Sequence, residues 1–226
     1  MLTQIKKNQN LIMLFIEIAL VYLGFWFLLN NLNTNGVWET VILNILFFLV
    51  FPVFILKGEF KNQYLLQKIK SKLNIKVCGQ VLVFWIIVLI LFLKFDFLIF
   101  LKLNYLSRVD WFLTDWWAIF FIDLILIPLI LFSQEFFFRN FLLNKLKNIF
   151  SIKIALIIQA GLFVLFEVLF FEIFQWQFVL FNFLTALFLG GLFVQTKSIW
   201  YSFFVRWSLI LMLDGIILYK IQNLKF

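Results

Sequence analysis

Glu135 and Arg139 stand four residues apart inside the apolar string ILIPLILFSQEFFFRNFLL. On a helix that spacing puts the carboxylate and the guanidinium on one face, within reach of each other. Glu167 interrupts a second apolar string and Arg206 a third; Glu17, Asp123 and Asp214 fall within or at the edges of others. An ionisable side chain inside a membrane span costs about 2.5–3.5 kcal/mol on insertion scales, so each must be paired, hydrated or functional. The plain reading of Glu135 and Arg139 is a structural salt bridge near one end of a span. The chemical reading makes Glu135 or Glu167 a base. Histidine is absent and Cys78 is the single cysteine, so the usual zinc ligands, the commonest general base and any internal disulfide are lacking. A metal site built from the carboxylates and amides that remain would suit Mg²⁺ or Ca²⁺ better than zinc, and neither a metal nor a cofactor is expected.

The elements that position these residues follow from composition. The chain has 226 residues, of which 65% are hydrophobic and 13% charged, with a mean hydropathy of +1.08. A soluble domain is about half apolar and about a quarter charged, so lipid must be the solvent here. A span takes about 20 apolar residues, which leads to an all-α polytopic transmembrane helix bundle of about seven spans. The apolar runs lie near 11–29, 38–56, 77–101, 112–143, 152–172, 177–196 and 198–219. The fourth, which carries Pro128, is too long for one simple span, and it is expected to continue into the interface. The segment KGEFKNQYLLQKIKSKLNIK at 57–76 has apolar residues at helical spacing and reads as an amphipathic helix on the membrane surface.

The net charge of +8 is dispersed through short loops, which fits anionic headgroups and not nucleic acid. Lys and Arg gather at the N-terminus, at 57–76, at 145–153 and at Lys197, and these places are assigned to the cytoplasmic side of the cell membrane. Two parts are expected: residues 1–111, N-terminal helices with the basic loop, and residues 112–226, the core. The 35 Phe and nine Trp are read as packing and interfacial belts, with no ligand assigned to them.

The strings QEFFFRNFLL, LIIQAGLFVLFEV and FNFLTALFLGGLFVQTKSIWYSFFVRWSLI together resemble the CPBP family. This family comprises the CAAX-processing and bacteriocin-processing (Abi) membrane proteases, type II CAAX prenyl proteases among them. The resemblance covers about residues 128–219. It rests on EExxxR, FxxxH and a last-helix HxxxN or HxxxB, with Gly190, Gly191, Thr196, Ser198 and Trp200 matching a Gly-rich helix and the turn after it. It implies a core made of the fourth to seventh spans, wrapped by the first three. It also implies that Gln134 stands where the family has its base glutamate, beside Glu135 and Arg139. Glu167 stands for the FxxxH histidine, Arg206 for the last-helix histidine and Ile210 for the Asn-type position. A Gln amide takes no proton near neutral pH, so Gln134 is no general base.

Three functions follow as expectations. The first is a catalytically impaired pseudoprotease that binds a membrane-bound or lipidated peptide or a partner membrane protein. The second is an active endopeptidase using Glu135 or Glu167, and the third is a small membrane transporter. Because the two histidine positions converge in the family, the resemblance also implies a buried Glu167–Arg206 ion pair, with Gln134 within hydrogen-bonding reach and Glu135–Arg139 beside it.

Overall fold

The computed structural model describes residues 2–31, 37–55, 75–94, 122–171 and 175–223. The basic segment at 57–76 lies almost wholly outside these residues, as do the loops near 31–37 and 102–111 and the start of the fourth run. Among the described residues there are seven continuous helices and no strand. These are α1 (Leu2–Asn31), α2 (Val37–Ile45, continuing through Leu46–Val50 and Phe51–Ile55) and α3 (Ile75–Lys94), followed by α4 (Ile122–Leu126, Ile127–Glu135, Phe136–Leu142 and Leu143–Ile149). The last three are α5 (Ile152–Phe171), α6 (Trp176–Thr196) and α7 (Ile199–Asn223). By length and composition α1, α4, α5 and α6 each carry a stretch able to cross a bilayer, and three shorter apolar helices lie at Thr40–Phe54, Val77–Ile90 and Ile199–Leu213. The protein is an all-α membrane helix bundle.

Burial decides which helix is central. Within α4, 67% of the span is buried inside the protein, against 22% of the α1 span. Every residue from Phe136 to Leu142 is buried, as expected of a helix that is apolar all round and enclosed by neighbours. Helix α1 shows the opposite case. Leu14, Ile18, Val21 and Phe25 form its inward seam, while Met13, Phe15, Leu20 and Phe27 face outward and are equally apolar. An outer face of that kind requires lipid.

Both prolines of the chain follow wide π-helical turns, Pro52 after Leu46–Val50 and Pro128 after Ile122–Leu126. Proline has no N–H to donate, and its ring crowds the carbonyl four residues back; a wide turn just before it relieves that crowding. A further wide turn among the described residues, Phe136–Leu142, follows no proline and begins immediately after Glu135. Such turns inside α-helices occur frequently at functional sites.

Helices α2, α5 and α7 surround α4, with α1 against α2 and α4, and α6 against α5 and α7. Helix α2 reaches into the core itself. Phe48 of α2 is fully buried, with its ring 5.1 Å from Phe137 and 4.7 Å from Phe166. Helix α1 is tied to the same core by the Tyr22 hydroxyl, which donates to the Leu162 carbonyl at 2.5 Å, and by a 2.6 Å ion pair between Glu17 and Lys145. Only α3 stays peripheral, touching α6 through Phe84 stacked on Phe188 at 4.1 Å, and α7 through Val88 and Leu209.

At the crossing of α5 and α6 a side chain on Gly190 would put its Cβ 2.8 Å from Leu156 Cδ2 and 2.9 Å from Gln159 Oε1. Gly161, on the exposed side of α5, has nothing within 4 Å of the same position. Thermal unfolding in detergent is therefore expected to show Gly190→Leu losing about 1–3 kcal/mol by overpacking, while Gly161→Leu stays close to wild type.

Candidate functional site

Four charged side chains meet at the centre of the bundle. Helix α4 supplies Glu135 and Arg139, α5 supplies Glu167 and α7 supplies Arg206, and all four are buried. Arg206 Nη2 donates to Glu167 Oε1 at 2.9 Å, and Arg206 Nη1 reaches Glu135 Oε1 at a longer 3.4 Å. The Glu167–Arg206 pair implied by the resemblance is present. Arg206 also bridges the two carboxylates, so the pair is one half of a larger cluster.

Arg139 is held differently. Its Nε lies 3.3 Å from Glu135 Oε2, close enough for an ion pair. The alignment is not that of a hydrogen bond, and neither Glu135 Oε2 nor any Arg139 nitrogen has a hydrogen-bond partner among the described residues. The wide turn after Glu135 gives a reason: an i→i+5 register moves the residue four positions on away from the place it has in an α-helix. Phe163, one turn before Glu167, faces both guanidiniums, with Arg206 Cζ 4.6 Å and Arg139 Cζ 5.1 Å from its ring centroid. The negative ring face attracts both cations, and each such contact contributes about 0.5–2 kcal/mol where water is excluded.

Gln134 is the correction at this site. Its amide is buried beside the cluster in sequence, yet its Nε2 donates to Asn44 Oδ1 of α2 at 3.0 Å and makes no bond to Glu167 or Arg206. Asn44, in turn, donates from Nδ2 to the Thr40 carbonyl at 2.9 Å. Asn44 carries no charge and so does not stand out as the ionisable residues do; its signal in the sequence is a lone Asn inside the apolar string VILNILFFLV. Ile210, one turn beyond Arg206, packs half-buried against the apolar group that contains Leu126, Ile127, Leu131 and Phe203. Of the remaining intramembrane acids, Glu17 pairs with Lys145, and Asp123 is buried at the start of α4, where its carbonyl accepts from Trp207 Nε1 at 2.9 Å. The side chain of Asp214 lies outside the described residues.

Residues 113–212 match the model of a family described as Type II CAAX prenyl endopeptidase Rce1-like. Over that stretch the chain is CAAX-protease-like. No curated protein and no solved structure matches the chain. The matched residues contain all four members of the charge cluster, together with Phe163 and the Gly190–Gly191 pair.

The donor set of this CAAX-protease-like core does not fit a divalent metal. Glu135 and Glu167 already face guanidiniums, and a cation placed between them would meet two positive charges at close range. Among the described residues no group of three His, Cys, Asp or Glu side chains comes together.

With two acids and two bases the cluster is electrically neutral, and that balance sets the expected outcome of breaking it. Arg206→Met leaves two buried carboxylates facing one guanidinium, and equilibrium unfolding should report a loss of about 3–5 kcal/mol. Glu167→Leu combined with Arg206→Met keeps neutrality through Glu135 and Arg139 and is expected to fall within about 1 kcal/mol of wild type, the usual scale of polar contacts between membrane helices.

Proposed function

We propose that this membrane protein is a pseudoprotease of the CAAX-protease-like type: its helix frame binds a membrane-bound peptide or partner protein, and an ion-pair cluster stands where a hydrolytic centre would be. The observation that carries this reading is Arg206 bridging Glu167 and Glu135. A carboxylate that takes a proton from water must be free to do so and must have water within hydrogen-bond reach. Here Glu135 is 0% exposed and Glu167 5%, and both oxygens facing Arg206 are engaged by its guanidinium.

The other substituted positions support the same reading. Gln134, at the place the resemblance assigns to the base glutamate, spends its amide on a bond between α4 and α2. Ile210, at the Asn-type position, offers no donor to a developing oxyanion. Arg206 does carry donors, but they already point at carboxylates. Each missing group normally contributes a factor of about 10²–10⁴ or of about 10²–10³ to such a reaction.

The helix frame does not depend on the charges alone. The central helix, the Gly190 crossing and the aromatic packing around Phe48 and Phe166 hold four helices in a fixed arrangement independently of any chemistry. A rigid frame in the bilayer, in a family whose members act on membrane-borne chains, suits capture of such a chain without cleavage.

Reconstituted in liposomes with a lipidated CAAX-type peptide or a signal-bearing peptide, the protein is expected to cleave neither, and Glu167→Gln should change nothing. Cleavage by wild type that disappears in Glu167→Gln, with the fold intact, would instead establish an active endopeptidase.

We further propose that the N-terminus and the start of α3 face the cytoplasm, on the distribution of Lys and Arg. Cys78, the single cysteine, is exposed near the start of α3 and reports on this directly. An impermeant maleimide is expected to label it in inverted vesicles and not in intact cells; the reverse pattern overturns the orientation.

A further inference from the structure

Away from the charge cluster, a groove of about 510 Å³ opens between α3 and α6. Its inner wall is the stacked pair Phe84 and Phe188. Gly79 and Gly191 line it, and a Cβ added at either would meet nothing within 4 Å, so the absence of two side chains keeps this space open. Gln80 and Gln195 also line it. Gln80 lies near the start of α3 and Gln195 near the end of α6, so the polar groups are gathered at one mouth. From there the groove runs eight residues along each helix, from Gly79 to Ile87 and from Gln195 to Leu187, which is about 12 Å at the helical rise. Everything deeper than the mouth is apolar.

We propose that this groove is a binding site for one anionic glycerophospholipid, with an acyl chain along Phe84 and Phe188 and the ester region at Gln80 and Gln195. The dimensions exclude a transmembrane helix as a full occupant, because a helix with side chains is about 10–12 Å across and needs about 30 Å to span. An acyl chain is thinner and fits the apolar depth. Two neutral amides at the mouth match ester carbonyls, which accept hydrogen bonds and carry no charge. The sign of the headgroup follows from the cation at the same end of α6. Lys197 ends that helix and is exposed. A lysine at the headgroup level favours anionic lipid by about 1 kcal/mol.

The glycines supply the test. The full chain, purified in mild detergent from membranes holding both zwitterionic and anionic phospholipid, is examined by native mass spectrometry for retained lipid. Wild type is expected to keep one phospholipid, enriched in the anionic class. Gly79→Leu with Gly191→Leu puts two side chains into the groove from positions where the Cβ itself meets nothing, and leucine favours helix over glycine, so neither helix is weakened. This variant is expected to lose the retained lipid several-fold at an unchanged unfolding midpoint. Gly161→Leu, equally open but on α5, should retain it. Lys197→Gln should keep a lipid but lose the anionic preference. Equal retention in wild type and the filled variant overturns the site. So does a filled variant whose lipid content is unchanged but whose oligomeric state shifts, because the groove would then be seating a second copy of this chain. Retention without headgroup preference in wild type overturns the assignment to an anionic lipid.

Discussion

A guanidinium moved from water into the middle of an apolar helix bundle must find its countercharge there, and the centre of this protein is organised by that requirement. Arg206 and Arg139 are both buried, and each would carry a large desolvation cost alone. Glu167 and Glu135 offset that cost, and Phe163 adds a ring face to both cations. Because the four charges come from α4, α5 and α7, neutrality at one point fixes the relative position of three helices. The packing around them is aromatic and continuous, with Phe48, Phe137, Phe138 and Phe166 in mutual contact immediately beside the charges. The low dielectric and excluded water around the cluster strengthen the attraction that holds it together.

Helix α4 serves two roles. It is the most enclosed helix, so its residues must pack on all sides, and it also carries two of the four charges and the Gln134 amide. The wide turn that begins after Glu135 resolves the conflict by letting Arg139 lie under Phe163 instead of pairing end-on with Glu135. The cost is visible in the guanidinium nitrogens, which touch a carboxylate at ion-pair distance but gain no aligned hydrogen bond. Arg206 does better because it approaches from a separate helix and can orient freely toward Glu167.

The family match and the cluster describe two separable properties. A CAAX-protease-like framework concerns which helices cross and where small residues permit close approach, as at Gly190. Hydrolysis concerns a few side chains at the point where those helices meet. In this protein an acid and a base, Glu167 and Arg206, meet at that point and leave a neutral, well-packed centre. Either one without the other would leave a buried charge in excess.

Composition alone determined the solvent, and with it the fold class: a chain this apolar must live in lipid, and backbone groups in lipid are satisfied within helices. The number of apolar runs and the isolation of Glu135, Arg139, Glu167 and Arg206 within them were equally legible, because a charge in a span stands out against its neighbours. The Glu167–Arg206 contact was reached through the resemblance, since nothing in the spacing of residues 167 and 206 says that their helices meet. What only the tertiary structure decided was the assignment of partners. Arg206 bridges two carboxylates, Gln134 turns to Asn44, and Ile210 packs among the apolar side chains around Phe203. The placement of α2 inside the core, with Phe48 at its middle, belongs to the same category. The reason is physical: helical periodicity records which face of a helix is apolar, but in lipid nearly every face is apolar. The sequence pattern therefore loses its power to separate buried faces from exposed ones, and packing, with the few polar groups that must be satisfied, makes the choice.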